Sequence, residues 1–344
     1  MKNLKRILLV GMVVVFAMVC FMACGQQAGT PGDGDTGGEA AGTVSIGDAN
    51  DEYYMITFMN GLEFWKDCYR GFEDAAKIYG AKTVYTGAQE FDINQQITVL
   101  EQVLAKNPAG IAITCVNDEA LMEPINKAIE QGVEVVVFDS DSPESDRYSI
   151  LQTGNANAGS KAADQMAEAL GGTGEVGVIY TAGTPTHEAR AQGIKDAIEA
   201  NYPNMTVVAE GNYDGEQADA SRAVSAMLQG NPNIKGVFAV NSPGGLGAAT
   251  AVREAGLSDS VKVIAFDHDE TVYQAIKDGS IYATVKQGAY NMGFWSMQFL
   301  FATKNNLVNP VDGWRENGLS PLPPYVDTGV DIVTAENLDA FYQG

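Results

Sequence analysis

One apolar segment occurs twice in the chain, and each copy ends in two acids. The first copy is Val133 to Asp141, Val-Glu-Val-Val-Val-Phe-Asp-Ser-Asp. The second is Val261 to Asp269, Val-Lys-Val-Ile-Ala-Phe-Asp-His-Asp. Short runs of β-branched apolar residues predict buried strands, and the shared Phe-Asp predicts that each strand ends in a carboxylate. The repeat therefore favours a fold built from two similar halves.

Short apolar segments alternate with amphipathic helical patterns on both sides of Gly154, and this order is typical of parallel sheets with helices on both faces. The two halves also match at Gly71-Phe-Glu-Asp-Ala75 and Gly193-Ile-Lys-Asp-Ala197, and at Val116-Asn117 and Val240-Asn241. We interpret the body as an internal duplication of one α/β unit. The predicted fold class is α/β, with two similar, doubly wound parallel-sheet lobes.

Polar residues follow several of the predicted strands. In an open parallel sheet, ligands bind outside the carboxyl ends of the strands. Strand alternation would turn Asp139 and Asp141 to the same side and Ser140 to the other, although a turn or a helix N-cap is the alternative for the acids. We expect the two lobes to close on a ligand between them, with these strand-end residues around the cleft: Asn117, Asp139, Asp141, Asn241 and Asp267.

Residues near the same sheet edge have the chemistry that a sugar requires. Phe64 and Trp65 follow the first strand and could stack on the C–H faces of a sugar ring, with a place in the core as the alternative. Arg190, Gln192 and Gln287 could bond hydroxyl groups, and charge-assisted bonds are the stronger ones. A surface salt bridge is the alternative for Arg190.

Composition argues against several functional classes. The chain has 44 acidic and 21 basic residues, and such a surface repels nucleic acid. Its two histidines are far apart in the sequence and lack clustered cysteines, so we predict neither a metal site nor a cofactor. Facing carboxylates could instead serve a glycoside hydrolase, so an exported carbohydrate-active enzyme is an alternative hypothesis.

The N-terminus has the layout of an export signal. Lys2, Lys5 and Arg6 precede an apolar run, Ile7 to Met22, and Ala23-Cys24 follows, which is similar to the cleavage and acylation site of bacterial lipoproteins. We predict a signal peptide at 1–23 and lipidation of Cys24, with a retained membrane helix as the alternative. Residues 24–51 contain almost no large apolar side chains and are predicted to be a flexible tether.

The body from Tyr53 onward resembles the type I periplasmic sugar-binding proteins of the ribose and galactose ABC importers, in the lipoprotein form of Gram-positive bacteria. The resemblance rests on a set of short motifs: Phe64-Trp65 before Gly71-Phe72, Phe138-Asp139, Glu188-Ala-Arg-Ala-Gln-Gly193, Val240-Asn241, Phe266-Asp267 and Ala283-Thr-Val-Lys-Gln287. It implies that Phe64 and Trp65 stack on the sugar and that Tyr213 closes the stack from the second lobe. It also implies that four residues bond hydroxyls: Asp139, Asn241, Asp267 and Gln287.

The same resemblance implies three crossovers between the lobes, with hinge points at Gly154, Gln287 and about Asp327. The lobes would then be 52–154 plus 288–327, and 155–287 plus 328–344. Ser140 and Gln192 stand where the ribose binders have arginine, which argues against ribose as the ligand.

The expected function is that of a lipid-anchored, monomeric, non-enzymatic receptor. It would bind a monosaccharide or polyol in the cleft between its lobes and deliver it to an ABC permease. The alternative is a sensor subunit that presents a sugar or furanosyl signal to a membrane kinase or chemoreceptor. Cys68 and Cys115 are expected to be buried free thiols.

Overall fold

The computed structural model describes residues 47–48, 50–309 and 311–342, and these residues form two sheets with helices on both faces. The predicted signal peptide, Cys24 and most of the tether lie outside the described residues. The first half consists of β1 (Glu52–Thr57), α1 (Glu63–Tyr79), β2 (Lys82–Gly87), α2 (Ile93–Leu104), β3 (Gly110–Ile113), α3 (Asp118–Glu130), β4 (Glu134–Phe138) and β5 (Ile150–Gln152).

The second half repeats this order. It consists of α4 (Asn155–Leu170), β6 (Thr173–Tyr180), α5 (Pro185–Asn201), β7 (Asn204–Asn212), α6 (Gln217–Gly230), β8 (Ile234–Ala239), α7 (Ser242–Glu254), β9 (Lys262–Phe266), α8 (Glu270–Lys277) and β10 (Ala283–Gln287). The chain then forms α9 (Ala289–Lys304), β11 (Tyr325–Asp327), β12 (Val330–Thr334) and a 3-10 turn at Leu338–Ala340.

The two sheets have the same strand order. One runs β11-β5-β4-β3-β1-β2 and the other β12-β10-β9-β8-β6-β7. Strands β3 and β4 are buried along their whole length, as expected for parallel strands covered on both faces. Lobe 1 is defined as the first sheet together with helices α1, α2, α3 and α9. Lobe 2 is the second sheet together with helices α4 to α8. The prediction of two similar, doubly wound parallel-sheet lobes is confirmed.

The edge strand β12 pairs antiparallel with β10, whereas β11 pairs parallel with β5. The difference follows from the short connection at Thr328-Gly329. The chain leaves lobe 1 at the carboxyl edge of its sheet and enters lobe 2 directly at the facing carboxyl edge, so β12 must run backwards. The other two crossings lead into α4 and α9, which carry the chain away from the edge first.

The three crossings are held together by hydrogen bonds. The Thr328 amide donates to the Gln152 carbonyl (2.9 Å), and the Gly288 amide donates to the Gly329 carbonyl (3.1 Å). The Gly154 amide donates to Oδ1 of Asp327 (2.8 Å). The chain therefore passes between the lobes as one compact group of strands next to the sheet edges.

Two helix crossings bring backbones into direct contact, because glycines lie at the crossing points. In lobe 1, α1 crosses α9, and a Cβ atom at Gly293 would overlap the carbonyl oxygen of Cys68. In lobe 2, α5 crosses α4, and a Cβ atom at Gly193 would overlap the carbonyl oxygen of Ala156. Gly71, the counterpart of Gly193 in the repeat, lies at the lobe 1 crossing as well, where a Cβ atom would overlap the carbonyl oxygen of Tyr290. Packing therefore explains the glycine that the two halves share.

Both cysteines of the described residues are buried free thiols, as predicted for Cys68 and Cys115. The last residues of the predicted tether run along the end of α9, where Gly47 lies close to Phe301 and Asn305. No helix within the described ranges is both long and apolar enough to cross a membrane.

Substitution of Gly293 by alanine should destabilise the fold. The new methyl group would force α9 away from α1, and we expect a loss of at least about 2 kcal/mol in the free energy of unfolding. The matched control is Gly230→Ala at the end of α6, where a Cβ atom has open space. We expect Gly230→Ala to be neutral or to stabilise by up to about 1 kcal/mol. Urea denaturation of both variants would contradict the packing argument if the two behaved alike.

Candidate functional site

A cavity of about 390 Å³ lies between the carboxyl ends of the strands of the two lobes. Its volume is in the range of pockets that hold small molecules. Lobe 1 contributes mostly apolar side chains, while lobe 2 and the crossing strand β10 contribute mostly polar ones. The lining residues are Phe58, Leu62, Glu63, Phe64, Trp65 and Asp139 from lobe 1, and Ser242, Asp267, His268, Asp269 and Gln287 from lobe 2.

Three aromatic rings form the apolar wall. Trp65 meets Phe64 and Phe58 edge to face, at centroid distances of 5.0 and 5.2 Å. Its indole Nε1 donates to the Phe58 carbonyl (2.9 Å), which fixes the ring. Trp65 is 3% exposed, and it packs in the lobe 1 core as well as lining the cavity. Phe64 is only partly buried and offers the more accessible ring.

Each copy of the Phe-Asp repeat places its phenylalanine in the core and its aspartate at the cavity. Phe138 and Phe266 are fully buried. Asp139 and Asp267 take left-handed backbone conformations, with φ of 60° and 73°. Aspartate tolerates this region better than most residues do, because its short polar side chain can bond locally. The conformation ends both strands and turns both carboxylates to the same cavity.

Asp267 is oriented by neighbours from three elements. Gln287 Nε2 donates to its Oδ1 (2.8 Å), and the Ser242 amide donates to its Oδ2 (3.3 Å). Gln287 is itself fixed because Thr153 Oγ1 donates to its Oε1 (2.9 Å). The Asp267 carboxylate is therefore presented in one orientation, with acceptor capacity left for a ligand.

Asp139 faces Asp267 across the cavity, and the two carboxylates repel each other. Burial raises the pKa of Asp139, and Asp267 raises it further. The Ser140 hydroxyl, which donates to Oδ2 of Asp139 (2.8 Å), and the Arg190 guanidinium oppose these effects. Asp139 thus depends on nearby donors to remain ionised.

Arg190 is the cation behind the two carboxylates. It is 5% exposed, and its guanidinium donates to Asn155 Oδ1 (2.8 Å) and to the Val240 carbonyl (2.9 Å). It lies 4.9 Å from the centroid of the Phe266 ring and 3.9 Å from Oδ1 of Asp267. Arg190 does not line the cavity, so in this conformation it acts on the carboxylates from behind.

Tyr213 and Asn241 also lie behind the cavity. The Tyr213 hydroxyl donates to Oδ1 of Asn241, which also accepts from the Gly244 amide (2.8 Å) and so caps α7. Burial raises the pKa of Tyr213 to about 12, so this hydroxyl remains protonated at physiological pH. Both residues fix the start of α7, which positions Ser242.

The structure does not bring Asp141, Gln192 or Asn117 to the cavity. Asp141 leaves the strand alternation because the chain turns at Asp139, and its carboxylate binds the guanidinium of Arg147 instead. Gln192 is exposed on α5 and donates to Asp196 Oδ1 (2.6 Å). Two residues along a helix span about 200°, so Arg190 and Gln192 face opposite sides. Asn117 caps α3 by accepting from the Ala120 amide (2.8 Å).

Several cavity residues are absent from the predicted set. His268 and Asp269 lie inside the repeated segment and could have been identified there. Phe58 directly follows β1, but no sequence motif marks it as a cavity residue. Ser242 follows Asn241 at the start of α7, and its hydroxyl donates to Asp269. Asp269 accepts from the Val272 amide (2.9 Å) and caps α8.

The cavity combines an aromatic wall with oriented hydrogen-bond acceptors. This combination suits a small molecule with apolar C–H faces and many hydroxyl groups. Two buried polar atoms near Arg190 and Tyr213, Nδ1 of His187 and Oγ1 of Thr181, have no hydrogen-bond partner among the described residues. The described residues contain no cluster of side chains able to hold a metal ion.

Comparisons with known proteins agree with this geometry. The D-allose-binding periplasmic protein of Escherichia coli is 28% identical over 273 residues, 76% of this chain and 87% of the relative. The structure of the arabinose-binding protein AraP from Geobacillus stearothermophilus is 43% identical with a TM-score of 0.80, over 85% of this chain and 99% of that one. A carbohydrate transporter solute-binding protein from Agrobacterium radiobacter, solved with D-arabinose, is 32% identical with a TM-score of 0.65, over 84% and 96%.

A family model describes most of the body directly. The model of the periplasmic binding protein domain matches residues 53–306, from the start of β1 to just beyond the end of α9. The matched region includes both sheets' central strands and all the residues that line the cavity. This chain therefore belongs to the periplasmic binding protein domain family.

Proposed function

We propose that this chain is an extracytoplasmic, non-enzymatic binding protein that captures a monosaccharide and delivers it to an ABC permease. The observation that carries the proposal is the cavity between the lobes, where an aromatic wall from lobe 1 faces the oriented Asp267 carboxylate of lobe 2. Stacking on the wall would hold the sugar ring, and the acceptors would bond its hydroxyls.

The sugar is proposed to be an arabinose-like pentose. Two of the solved relatives support this choice, since one is an arabinose-binding protein and another was solved with D-arabinose. Of the predicted site residues, we propose that Phe64 and Trp65 stack on the ring, while Asp139, Asp267 and Gln287 bond hydroxyls. Arg190, Tyr213 and Asn241 support them from behind. Asp141 and Gln192 are left out of the proposed contact set because each has a different partner.

The proposed lobes are 52–154 plus 288–327 and 155–287 plus 328–344, with Gly154, Gln287 and Asp327 at the hinge. A ligand that contacts both lobes favours the closed arrangement, which the permease would recognise. We also propose that Cys24 is acylated after removal of residues 1–23, that residues 24–51 act as the tether, and that the protein works as a monomer.

A panel of sugars should separate binding from the alternatives. We expect L-arabinose or D-arabinose to raise the melting temperature more than D-ribose, D-xylose, D-allose or D-galactose does, because a ligand bound only by the folded form stabilises it. Prolonged incubation at high protein concentration should leave each sugar unchanged. A panel without any thermal shift, or turnover of a glycoside, would contradict the proposed function.

Asp267→Asn should weaken binding of the best panel sugar at least about tenfold. The amide removes the charge from the hydrogen bonds to ligand hydroxyls, and charged bonds are worth about 1.5–3 kcal/mol. The matched control is Asp141→Asn, which removes an acid that binds Arg147 and does not line the cavity, and for this variant we expect less than a twofold change. Isothermal titration calorimetry measures both affinities, and equal effects would contradict the site assignment.

Cys24→Ser should release the protein from the membrane. Without the thiol no lipid can be attached, so we expect the variant to move from the detergent phase to the aqueous phase in a Triton X-114 partition. Cys68→Ser is the control, since Cys68 is buried and should not affect partition. Retention of the Cys24→Ser protein in the detergent phase would contradict acylation at this cysteine.

A further inference from the structure

One histidine–carboxylate contact joins the two lobes across the edge of the cavity. Nε2 of His268, which follows β9 in lobe 2, lies 3.4 Å from Oδ2 of Asp67 in helix α1 of lobe 1. Among the ion pairs of the described residues, this is the one that connects the lobes. His268 also lines the cavity, and its ring centroid is 6.0 Å from that of Phe64.

The His268–Asp67 pair lies beside the aromatic wall of the cavity. Asp67 lies three residues after Phe64 on α1, so both are on the same side of the helix and His268 contacts both. The side chains of His268 and Asp67 are 15% and 28% exposed, so solvent screens the pair only in part. Separation of the lobes would break this contact, whereas closure forms it.

Asp67 remains ionised throughout the pH range in which a histidine ordinarily titrates. The hydrogen bond from His268 lowers the pKa of Asp67 to about 2, with Arg70 adding to the effect and burial opposing it. A carboxylate with a lowered pKa contributes stability above its ordinary value near 4 and loses it only as the pH falls toward 2. Between pH 5.5 and 8.5, Asp67 is therefore always ionised.

Other charged and titratable groups surround the imidazole, but none of them replaces Asp67 as its partner. Acids outnumber bases in this set. The groups are Glu63, Asp67 and Arg70 on α1, Asp139 after β4, Lys286 on β10, Asp267, Asp269 and Glu270 beside His268 in sequence, and Tyr273 on α8. Histidine is the side chain that ordinarily changes charge between pH 5 and 8.

We propose that His268 is a positioning residue for ligand capture: when protonated, it ties lobe 2 to Asp67 of α1 and holds Phe64 against the bound sugar. The proposal rests on the proposed function for its role in binding, although the contact itself does not require a ligand. Because the pair is complete only in the closed arrangement, protonation and ligand binding favour each other. Sugar affinity is therefore higher in mildly acidic solution.

Calorimetry at two pH values tests this coupling. With arabinose, or the panel sugar that gives the largest thermal shift, we expect the wild type to bind about two- to fivefold more tightly at pH 5.5 than at pH 8.5, the range expected for a partly exposed ion pair. His268→Gln and Asp67→Asn should each bring this ratio close to one. The double variant should show no further change in the ratio, because each single substitution already removes the pair.

The second histidine provides the matched control. Burial and the Arg190 guanidinium lower the pKa of His187, so this histidine takes up a proton less readily than an ordinary one does. His187→Gln should keep the wild-type ratio of sugar affinity at pH 5.5 to that at pH 8.5, even if the affinity itself changes. The proposal would be overturned if this affinity ratio stayed at its wild-type value in His268→Gln, or if it fell to one in His187→Gln.

A measurement without sugar distinguishes this proposal from the proposed function. Spin labels on cysteines introduced at the exposed positions Gln89 and Asp214, after β2 and β7, report the distance between the lobes. The background is Cys20→Ser with Cys24→Ser, in which the two remaining native cysteines are buried. We expect a larger short-distance population at pH 5.5 than at pH 8.5, and no such difference with His268→Gln. An unchanged distribution in the wild type would refute the contact, whereas a failed sugar panel would refute only the function.

Discussion

The contact on which the site depends most is the close crossing of helix backbones at glycine in each lobe. The crossover helices α4 and α9 begin directly after two of the crossings between the lobes. Each is held against the helix that follows the first strand of its lobe, α5 for α4 and α1 for α9, where Gly193 and Gly293 allow carbonyl oxygens to approach. Phe64 and Trp65 begin α1, and Arg190 lies on α5. The aromatic wall and the buried cation are therefore fixed relative to these crossings, and the proposed closure would move them as parts of rigid bodies.

The second constraint is electrostatic. Asp139 and Asp267 approach each other because the same left-handed turn ends both strands. Burial raises the pKa of Asp139, and repulsion by Asp267 adds to the effect. Arg190 offsets this cost from a buried position, and Gln287, which donates to Asp267, connects the acid to the crossing strand β10. A sugar hydroxyl between the two carboxylates would donate to one or both. Such donation would reduce the repulsion between the two carboxylates.

The sequence was sufficient to predict the two-lobed parallel-sheet fold, since periodicity and the repeat are local signals that tertiary packing reinforces. It also identified Asp139, Asp267, Gln287 and the Phe64-Trp65 pair, each of which lies at the cavity. It misplaced Asp141, because strand alternation cannot anticipate a positive φ at Asp139, and Gln192, because a two-residue step reverses direction on a helix. The contact of His268 with Asp67 joins distant segments, so no local pattern could predict it.

The duplication explains why the two lobes now make different contributions. Asp141 and Asp269 occupy equivalent positions in the repeat, but only Asp269 precedes a helix, and it caps α8 and remains at the cavity. In lobe 1, β4 is connected to β5 without a helix, so Asp141 has no N-terminus to cap and binds Arg147 instead. Loss of that acid leaves lobe 1 with an apolar face and lobe 2 with the polar one. A ring with one apolar face and several hydroxyl groups requires both lobes, so full binding energy is available only when they close.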